Sequence, residues 1–427
     1  MGLFGSSGIR QVIDKDFIQL ALKVGLAVGN IYHNTAIACD TRTSSDAMKH
    51  AVISGLLVAG SKCYDAGIIP TPTLALATSN YDAAAMITAS HNPPQYNGIK
   101  LINPDGSAFD SKQRAQIDEM VINTSFSGAV WNVIHNGGTY EEAIEQHIKR
   151  ISRDFPGGSQ GRIVLDCSCG AGATISPRVL QQLGYDVIDI NCYPSGFFPH
   201  DVEPIEANLK DLIAATKHFD AIVGIAQDGD ADRMMAVDDK GRFVPGDKLL
   251  AILAQGVEAK EIITTIDASM VMDDLGLSVK RTRIGDAYVS EELVNGGDFG
   301  GEPSGSWIFP NVSLCPDGVY AAALISHIAS KNQLSTIVDE IPSYPILRGS
   351  IVDEGIVMTA LEQRLMATDP ISVSKIDGIR LGFEDGWLLI RCSGTEPKIR
   401  ITAEAKIEIR TREIYDSAIK AISDCLA

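Results

Sequence analysis

Residues 17–69 read FIQLALKVGLAVGNIYHNTAIACDTRTSSDAMKHAVISGLLVAGSKCYDAGII, and this stretch decides the fold class. Apolar residues recur every three or four positions from Phe17 to Ile31, which predicts a helix with one apolar face. The apolar run 35–39 then predicts a strand, 44–58 predicts a second helix, and a second strand ends at Ile69. Helices that alternate with short buried strands indicate an α/β fold with layered sheets.

The same alternation returns later in the chain. Residues 162–166, 185–190 and 221–226 are predicted strands, and 176–183 is a predicted helix. The segment 398–409 alternates apolar and polar residues one by one, which predicts a half-exposed strand. An amphipathic closing helix is expected from about residue 411 to 426.

Clusters of proline and glycine divide the chain into units. At roughly 150 residues per domain, 427 residues suggest about three domains. Breaks are predicted at DFPGGSQG (154–161), VPGD (244–247) and IPSYP (341–345). The expected units are therefore four, over residues 1–153, 154–245, 246–344 and 345–427.

The balance of charge excludes several classes of partner. With 36 Lys and Arg against 54 Asp and Glu, the formal net charge is −18. A field of that sign repels nucleic acids and anionic lipid surfaces, so neither is an expected partner. It would also repel an anionic small substrate unless cations gather locally around the binding site.

Membrane insertion, export and disulfide bonding are not expected either. The longest apolar candidate, 51–60, is interrupted by Ser54 and Gly55 and is too short to cross a bilayer. The first ten residues lack the basic and apolar regions of an export signal. Eight cysteines are too sparse for a disulfide scaffold, so the expected location is the cytoplasm.

A stiff loop that carries Ser90 is the first candidate for chemistry. The segment TASHNPPQYNGIK (88–100) follows an apolar run, 83–87, that predicts a strand. Pro93 and Pro94 fix their own φ angles and remove two amide donors, so the loop is stiff. A rigid loop that holds a hydroxyl beside His91 suits a nucleophile or a phosphate carrier, whereas the simpler interpretation is a turn capped by serine.

The segment DGDADR (228–233) follows another predicted strand and carries three carboxylates. Oxygen ligands that converge in this way favour Mg²⁺ or Ca²⁺ over zinc. An EF-hand would need glycine at its sixth position and glutamate at its twelfth, where Arg233 and Asp239 stand. A phosphatase with an aspartate nucleophile is the remaining rival. A solvated acidic turn is disfavoured because three close carboxylates repel one another without a cation.

Further segments have a composition suited to ligands. Glycines bracket a carboxylate and a hydroxyl in GGEPSG (300–305), a composition that suits binding of sugar hydroxyls. The segment RCSGTEPKIR (391–400) combines cations and hydroxyls as a phosphate site requires.

The segment CSCGAGATI (167–175) has Ile175 where a dinucleotide-binding loop needs its third glycine. It is therefore predicted to be a structural turn from strand to helix.

Taken together, six segments resemble the α-D-phosphohexomutase family and occur in that family's order. They are FGSSGIR (4–10), DTRTSS (40–45), TASHNP (88–93), DGDADR (228–233), GEPSG (301–305) and RCSGTEP (391–397). The resemblance covers nearly the whole chain. It implies four domains around a central cleft, of which the first three are mixed α/β sheets with flanking helices and the fourth is a smaller α+β domain.

The resemblance also implies roles for individual residues. Ser90 would be a phosphoserine in the active enzyme and would bind one Mg²⁺ together with Asp228, Asp230 and Asp232. The other implied site residues are Arg10, Lys100 and His91 for the catalytic step, Asn92 and Arg233 in support, Glu302 and Ser304 for the sugar hydroxyls, and Arg391, Ser393, Gly394, Thr395 and Arg400 for the phosphate that is not transferred.

The implied reaction moves a phosphate between two hydroxyls of one sugar. Phosphorylated Ser90 would donate to a hexose monophosphate, and the hexose 1,6-bisphosphate, which also serves as activator, would reorient and return its other phosphate. TRIGD (282–286) and TASHNP are similar to phosphoglucosamine mutases, which implies glucosamine 6-phosphate and glucosamine 1-phosphate as the pair. Ser306 stands where histidine often follows the sugar motif, and mannose or glucose phosphates are the alternative. The oligomeric state stays open.

Overall fold

The first unit is an α/β sheet with helices around it. The computed structural model describes residues 2–5, 7–158, 160–352, 355, 357–392 and 398–426. The sheet has the strand order β1-β5-β4-β2-β3-β6. Its elements are β1 (Ile9–Val12), α1 (Lys15–Ile31), β2 (Asn34–Cys39), α2 (Ser45–Ala59), β3 (Lys62–Ile68), α3 (Thr71–Ala77), β4 (Ala83–Ile87), β5 (Tyr96–Ile102), α4 (Ser111–Ile122) and β6 (Gly138–Thr139).

The alternation predicted for residues 17–69 is confirmed. Asp14 caps α1 by accepting a hydrogen bond from the Phe17 amide (2.8 Å), and the apolar stripe of α1 is buried. Strands β2, β3 and β4 pair in parallel, while β1 and β5 join them as antiparallel strands. The Ser90 loop, which joins the end of β4 to the start of β5, therefore lies at the same edge of the sheet as the C-terminal end of β2.

The second and third units repeat this layered plan. Their sheets have the orders β10-β9-β7-β8 and β12-β11-β13-β14. The second unit contains α5 (Ala143–Asp154), β7 (Arg162–Asp166), α6 (Ser176–Gln182), β8 (Asp186–Ile190), α7 (Lys210–His218), β9 (Val223–Gln227) and β10 (Met234–Asp238). The third contains α8 (Gly246–Gly256), β11 (Glu261–Thr265), β12 (Ser278–Thr282), α9 (Asp286–Leu293), β13 (Phe299–Glu302), β14 (Ser306–Ile308), α10 (Gly318–Lys331) and α11 (Leu334–Glu340).

The fourth unit is smaller and its sheet is antiparallel throughout. The strand order is β15-β19-β18-β17-β16, and α12 and α13 cover one face. The elements are β15 (Ile346–Val352), α12 (Met358–Leu365), β16 (Ser372–Ser374), β17 (Ile379–Phe383), β18 (Gly386–Cys392), β19 (Lys398–Ala405) and α13 (Glu408–Leu426). Across the described ranges of the chain, no helix combines the length and the apolar character needed to span a membrane.

The strand predicted for 398–409 is wrong at its C-terminal end. It stops at Ala405, and α13 begins at Glu408 rather than near residue 411. Ile407 and Ile409 continue the alternation in sequence, but they are exposed and pair with no neighbouring strand. Alternation alone therefore overestimated the strand, because the sheet ends where β15 and β18 no longer offer partners.

Helix α5 packs with the second unit. Ile148 and Ile151 lie in the same core as Ile163 and Leu165 of β7, and that core continues into the third unit through residues such as Leu249. The boundary expected after residue 153 follows this helix. The N-terminal end of α5 also contacts the first unit, since Ala143 lies in a core with Leu74, and His147 Nδ1 lies 2.9 Å from Thr73 Oγ1. We propose that the first unit ends before α5, because the isoleucines of the helix contribute to the larger core of the second unit.

The packing of α1 on α2 gives a first prediction. A Cβ atom added at Gly25 would lie 2.3 Å from the carbonyl oxygen of Val52, closer than any side chain allows. Gly25→Ala should therefore push the helices apart and lower the free energy of unfolding by about 1–3 kcal/mol. Urea unfolding monitored by circular dichroism measures this. Lys23→Ala on the exposed face of α1 is the control, expected within about 0.5 kcal/mol of the parent; equal losses would contradict the packing argument.

Candidate active site

The Ser90 loop connects β4 to β5 and holds its serine in an unusual conformation. Ser90 has φ 50°, in the left-handed region that residues with a side chain rarely adopt. Its amide donates to Thr88 Oγ1 (2.9 Å), and its own Oγ donates to Asp228 Oδ2 (2.6 Å). His91 Nδ1 lies 3.3 Å from the same Oγ. The loop is thus shaped to present one hydroxyl to the second unit.

Three carboxylates converge in the turn between β9 and β10. Asp228, Asp230 and Asp232 each place one oxygen within 4.8 Å of the others, and all three residues are buried. Burial and the neighbouring carboxylates raise the pKa of Asp228 well above its usual value. Like charges this close in an apolar setting require cations.

The residues present fit a hard divalent cation. Asp230 Oδ1 and Asp232 Oδ1 are buried and find no hydrogen-bond partner among the described residues. Such oxygens are costly to bury unless something else satisfies them. An all-oxygen set of carboxylates beside a serine hydroxyl is the ligand chemistry that Mg²⁺ prefers. We therefore take the triad as the place that could hold the metal.

The outer oxygens of the same carboxylates are held by the first unit. Lys100 Nζ donates to Asp230 Oδ2 (2.7 Å) and Asp232 Oδ2 (2.5 Å). Thr71, at the start of α3, donates its hydroxyl to Asp230 Oδ2 and its amide to the Asp230 carbonyl (3.0 Å). Burial alone would raise the pKa of Asp230, but these contacts with Lys100 and Thr71 lower it to about 2. The inner oxygens are thereby left facing the site.

The turn after β7 supports the carboxylate loop from behind. Ala171 donates its amide to the Gly229 carbonyl (2.9 Å), and a Cβ atom on Gly229 would lie 2.8 Å from the Ser90 carbonyl oxygen. The Ser90 loop, the carboxylate loop and this turn are therefore stacked at backbone contact distance. The segment 167–175 acts as a turn from strand to helix, as the missing third glycine predicts.

Other residues of the predicted site surround Ser90. Arg10, on β1, donates from Nη1 to Asn92 Oδ1 (3.0 Å). Arg233 donates its amide to Asp228 Oδ1 (3.2 Å). Burial and the charges of Arg233 and Arg10 lower the pKa of His91 to about 2, so its imidazole is neutral. A neutral ring therefore lies beside the serine, with the positive charges of Arg10 and Arg233 close enough to keep it neutral.

The third unit brings the predicted sugar segment to the same place. The Gly305 carbonyl accepts from the Met234 amide (2.9 Å), which ties the segment to the strand after the carboxylate loop. Glu302 accepts at Oε1 from the Gly285 amide (2.6 Å) and at Oε2 from Ser304 Oγ (3.1 Å). Burial and the negative charge of Asp286 raise the pKa of Glu302 to about 7.

The predicted phosphate segment lies in the fourth unit and is described only in part. Ser393, Gly394 and Thr395 fall outside the described residues. Arg391 on β18 and Arg400 on β19 are directly opposite each other, an arrangement of like charges that suits an anion between them. Asp377 lies 3.4 Å from Arg391 Nη2 and accepts from the Ile284 amide (3.1 Å). This carboxylate connects the fourth unit to the loop beside Glu302.

Two of these contacts were not predicted from the sequence. Thr71 lies between two prolines and Asp377 in a polar turn, and neither belongs to a motif that indicates chemistry. Both act across unit boundaries, so their partners are far away in sequence. The sequence around each residue therefore gives no signal of its role, because the role depends on a partner that becomes a neighbour only in the folded protein.

The class of protein follows from the fold and this site. Three α/β units and a smaller fourth unit place a serine loop against a buried carboxylate triad, with the segment of Glu302 and Ser304 beside it, which defines a phosphohexomutase. The chain belongs to the phosphoglucomutase/phosphomannomutase family. Models of the three α/β/α domains of that family match residues 1–127, 139–241 and 245–344, and the model of its C-terminal domain matches 351–420.

Individual relatives match over almost their full length. The chain is 47% identical over 437 residues to a probable phosphoglucosamine mutase of Methanocella arvoryzae, covering 100% of this chain and 99% of the relative. It is 48% identical over 417 residues to one of Methanococcoides burtonii, covering 95% and 96%. A crystal structure of a phosphoglucomutase/phosphomannomutase family protein from Burkholderia thailandensis superposes with a TM-score of 0.87 at 26% identity, covering 99% of this chain and 97% of that one.

The contact of Thr71 with Asp230 gives a prediction about metal binding. Thr71→Val removes the hydroxyl but keeps the shape, so Asp230 loses an orienting partner. We expect Mg²⁺ affinity, measured by isothermal titration calorimetry, to fall roughly 10- to 100-fold. Thr71→Ser keeps the hydroxyl and is the matched control, which should bind nearly as well as the parent. Equal affinity of the valine and serine variants would contradict the role of this contact.

The environment of Glu302 gives a prediction about pH. Its folded pKa of about 7 lies above the ordinary value of 4.5, so folding favours the protonated form. The contribution to stability is complete below pH 4.5 and is lost as the pH rises through 7. Relative to the parent, Glu302→Gln should therefore become progressively more stable between these two pH values. Urea unfolding at several pH values measures this, and a difference that does not change with pH would refute the assignment.

Proposed function

We propose that this protein is a phosphohexomutase that interconverts glucosamine 6-phosphate and glucosamine 1-phosphate through phosphorylated Ser90 and a hexosamine 1,6-bisphosphate. The observation that carries the proposal is the 2.6 Å contact between Ser90 Oγ and Asp228 inside the buried triad. The choice of sugar is supported by relatives at 47% and 48% identity that are named probable phosphoglucosamine mutases.

Asp228, Asp230 and Asp232 would hold Mg²⁺ beside the Ser90 oxygen. A bound Mg²⁺ would neutralise negative charge on the oxygens of the phosphoryl group. Lys100 and Thr71 both donate to the outer oxygen of Asp230, Oδ2, which fixes the carboxylate before any ligand arrives. The protein then loses little free energy in rearranging the site during the reaction.

The residues around Ser90 would handle charge and the proton. When phosphorylated Ser90 donates to a sugar hydroxyl, the bond from phosphorus to Oγ breaks and a bond to the sugar oxygen forms. The proton that the sugar hydroxyl loses is balanced by the proton that Ser90 Oγ takes up as it becomes a hydroxyl again. Asp228 Oδ2 already accepts a hydrogen bond from Ser90 Oγ and marks where a proton on that oxygen is held. Arg10 and Lys100 would stabilise the transferring group with positive charge, while neutral His91 supports the loop.

The third and fourth units would hold the sugar and its second phosphate. Glu302 and Ser304 would contact sugar hydroxyls from the segment that Met234 anchors near the triad. Arg391 and Arg400, with Ser393, Gly394 and Thr395, would bind the phosphate that is not being transferred. The bisphosphate would then turn end for end, so that the phosphate held by the fourth unit reaches Ser90.

The serine and the sugar can be tested together. Ser90→Ala should take up no phosphate when incubated with glucose 1,6-bisphosphate, whereas the parent should gain one phosphate by intact-mass spectrometry. The variant should also lose nearly all isomerisation, because the reaction has no other phosphate carrier. Ser79→Ala, at an exposed serine, is the control and should behave like the parent. Coupled assays with glucosamine, glucose and mannose 6-phosphates compare kcat/KM for the three sugars.

Different failures would have different meanings. Phosphate uptake by Ser90→Ala equal to that of the parent would contradict the role of the serine. Net release of inorganic phosphate by an active Ser90→Ala would indicate an aspartate-nucleophile phosphatase instead. A higher kcat/KM with mannose or glucose phosphate would leave the mutase intact and replace only the proposed sugar.

A further inference from the structure

Arg42, which follows β2, is buried against the Ser90 loop and uses every donor it has. A guanidinium carries five N–H groups in a fixed plane. Nε donates to Asp40 Oδ2 at 3.0 Å. The other four N–H groups donate to four loop carbonyls, those of Pro93 (2.7 Å), Tyr96 (3.0 Å), Ser90 (2.8 Å) and Asn92 (2.6 Å). One side chain therefore binds four carbonyls between residues 90 and 96.

The same network reaches Ser90 from its other side. Thr88 Oγ1 donates to Asp40 Oδ2 (2.7 Å) and accepts from the Ser90 amide (2.9 Å). The amide of Ser90 is thus tied through Thr88 to Asp40, and its carbonyl is tied directly to Arg42. The peptide groups on both sides of Ser90, whose φ is 50°, are therefore held by the buried ion pair of Arg42 with Asp40 and by Thr88.

Only arginine can make this set of contacts. Lysine has three donors on a single nitrogen and cannot reach four carbonyls and a carboxylate spread over a plane. The loop needs an outside donor, because Pro93 and Pro94 contribute no amide hydrogens of their own. Within the loop, the Asn92 amide donates to the Ala89 carbonyl and the Tyr96 amide to the Pro93 carbonyl (both 3.0 Å). The carbonyls of Ser90 and Asn92 receive their hydrogen bonds from Arg42 instead.

The second unit covers the other face of this arginine. The Phe198 ring lies 5.2 Å from Arg42 Cζ, and Thr41 donates its hydroxyl to the Cys169 carbonyl (3.0 Å). Arg42 is 3% exposed, so it is shielded from any ligand in the cleft. It can act on the reaction only through the loop that it holds.

We propose that Arg42, together with Asp40 and Thr88, is a positioning residue that sets the conformation in which Ser90 receives and donates phosphate. This inference rests on the proposed function. The geometry implies that weakening the network misplaces Oγ relative to the triad. The steps at Ser90 should slow, while binding of the sugar phosphate by Glu302 and the fourth unit should persist.

The test compares phosphorylation of Ser90 with substrate binding. Parent, Arg42→Lys and Ser90→Ala are incubated with glucose 1,6-bisphosphate, and the rate of phosphate uptake is followed by intact mass. We expect Arg42→Lys to be phosphorylated about 100-fold more slowly. The kcat of Arg42→Lys for isomerisation of the sugar phosphate should fall similarly. Its KM for the sugar phosphate should stay within about twofold of the parent value, because ground-state binding is unchanged. A purely structural role would not separate kcat from KM in this way.

The matched control is Arg162→Lys at the start of β7. Arg162 also pairs with an aspartate, Asp186, at 2.8 Å, but its side chain is 44% exposed and far from the loop in the second unit's sheet. This variant should match the parent in uptake, kcat and KM. If Arg42→Lys does not fold, Thr88→Val replaces it, because it breaks the same network while keeping the arginine and the side-chain volume.

The outcomes separate this inference from the proposed function. If the parent is phosphorylated and Arg42→Lys, or Thr88→Val in its place, takes up phosphate at the same rate, this inference is overturned and the proposed function stands. A large rise in KM at unchanged kcat would overturn it as well, because the network would then act on binding. A parent that takes up no phosphate would overturn the proposed function and this inference with it. Slow uptake with a preserved KM supports both.

Discussion

Three carboxylates buried within 4.8 Å of one another are the constraint on which the rest of this structure depends. In an apolar interior they repel one another strongly, and only nearby positive charge makes the arrangement tolerable. The protein supplies that charge from a different unit, through Lys100 on β5. The docking of the first unit on the second is therefore inseparable from the site. If the two units separated, Lys100 would lose Asp230 and Asp232, and Ser90 would lose its hydrogen bond to Asp228.

The same constraint explains how a chain of net charge −18 can bind anions. The acidic excess belongs to the chain as a whole, whereas the neighbourhood of Ser90 gathers Arg10, Lys100 and Arg233. A second group of cations, Arg391 and Arg400, lies in the fourth unit. Cations gathered in this way attract sugar phosphates, and the negative charge of the chain as a whole disfavours nucleic acids and acidic surfaces.

Backbone groups also connect the parts of the site. Gly229 stacks directly on the Ser90 carbonyl, Met234 binds the carbonyl of Gly305, and the amide of Gly285 binds Glu302. Such contacts leave little freedom to move one loop without the next. The left-handed Ser90 fits this pattern, since strain at one residue persists only when its surroundings hold it from several sides.

The sequence by itself determined the elements and the chemistry. Periodicity from Phe17 to Ile69 was enough for the α/β class, because burial of one helix face or of a whole strand leaves a regular pattern. The residue types in 88–93 and 228–233 indicated a phosphate carrier and a cation site, since few other functions need those groups so close together. Motif order indicated the family. Alternation failed at 406–409, where a strand needs a partner that the linear sequence does not show.

Only the tertiary structure decided which of these groups meet, and with whom. Thr71 and Asp377 contact the site from other units, and α5 packs into a core that its position in the chain does not indicate. Arg42 belongs to a motif, yet its five contacts appear only when β2 lies beside the Ser90 loop. Hydrogen bonds and ion pairs form between neighbours in space. Residues tens or hundreds of positions apart become neighbours only when the units dock, and no local pattern records that event.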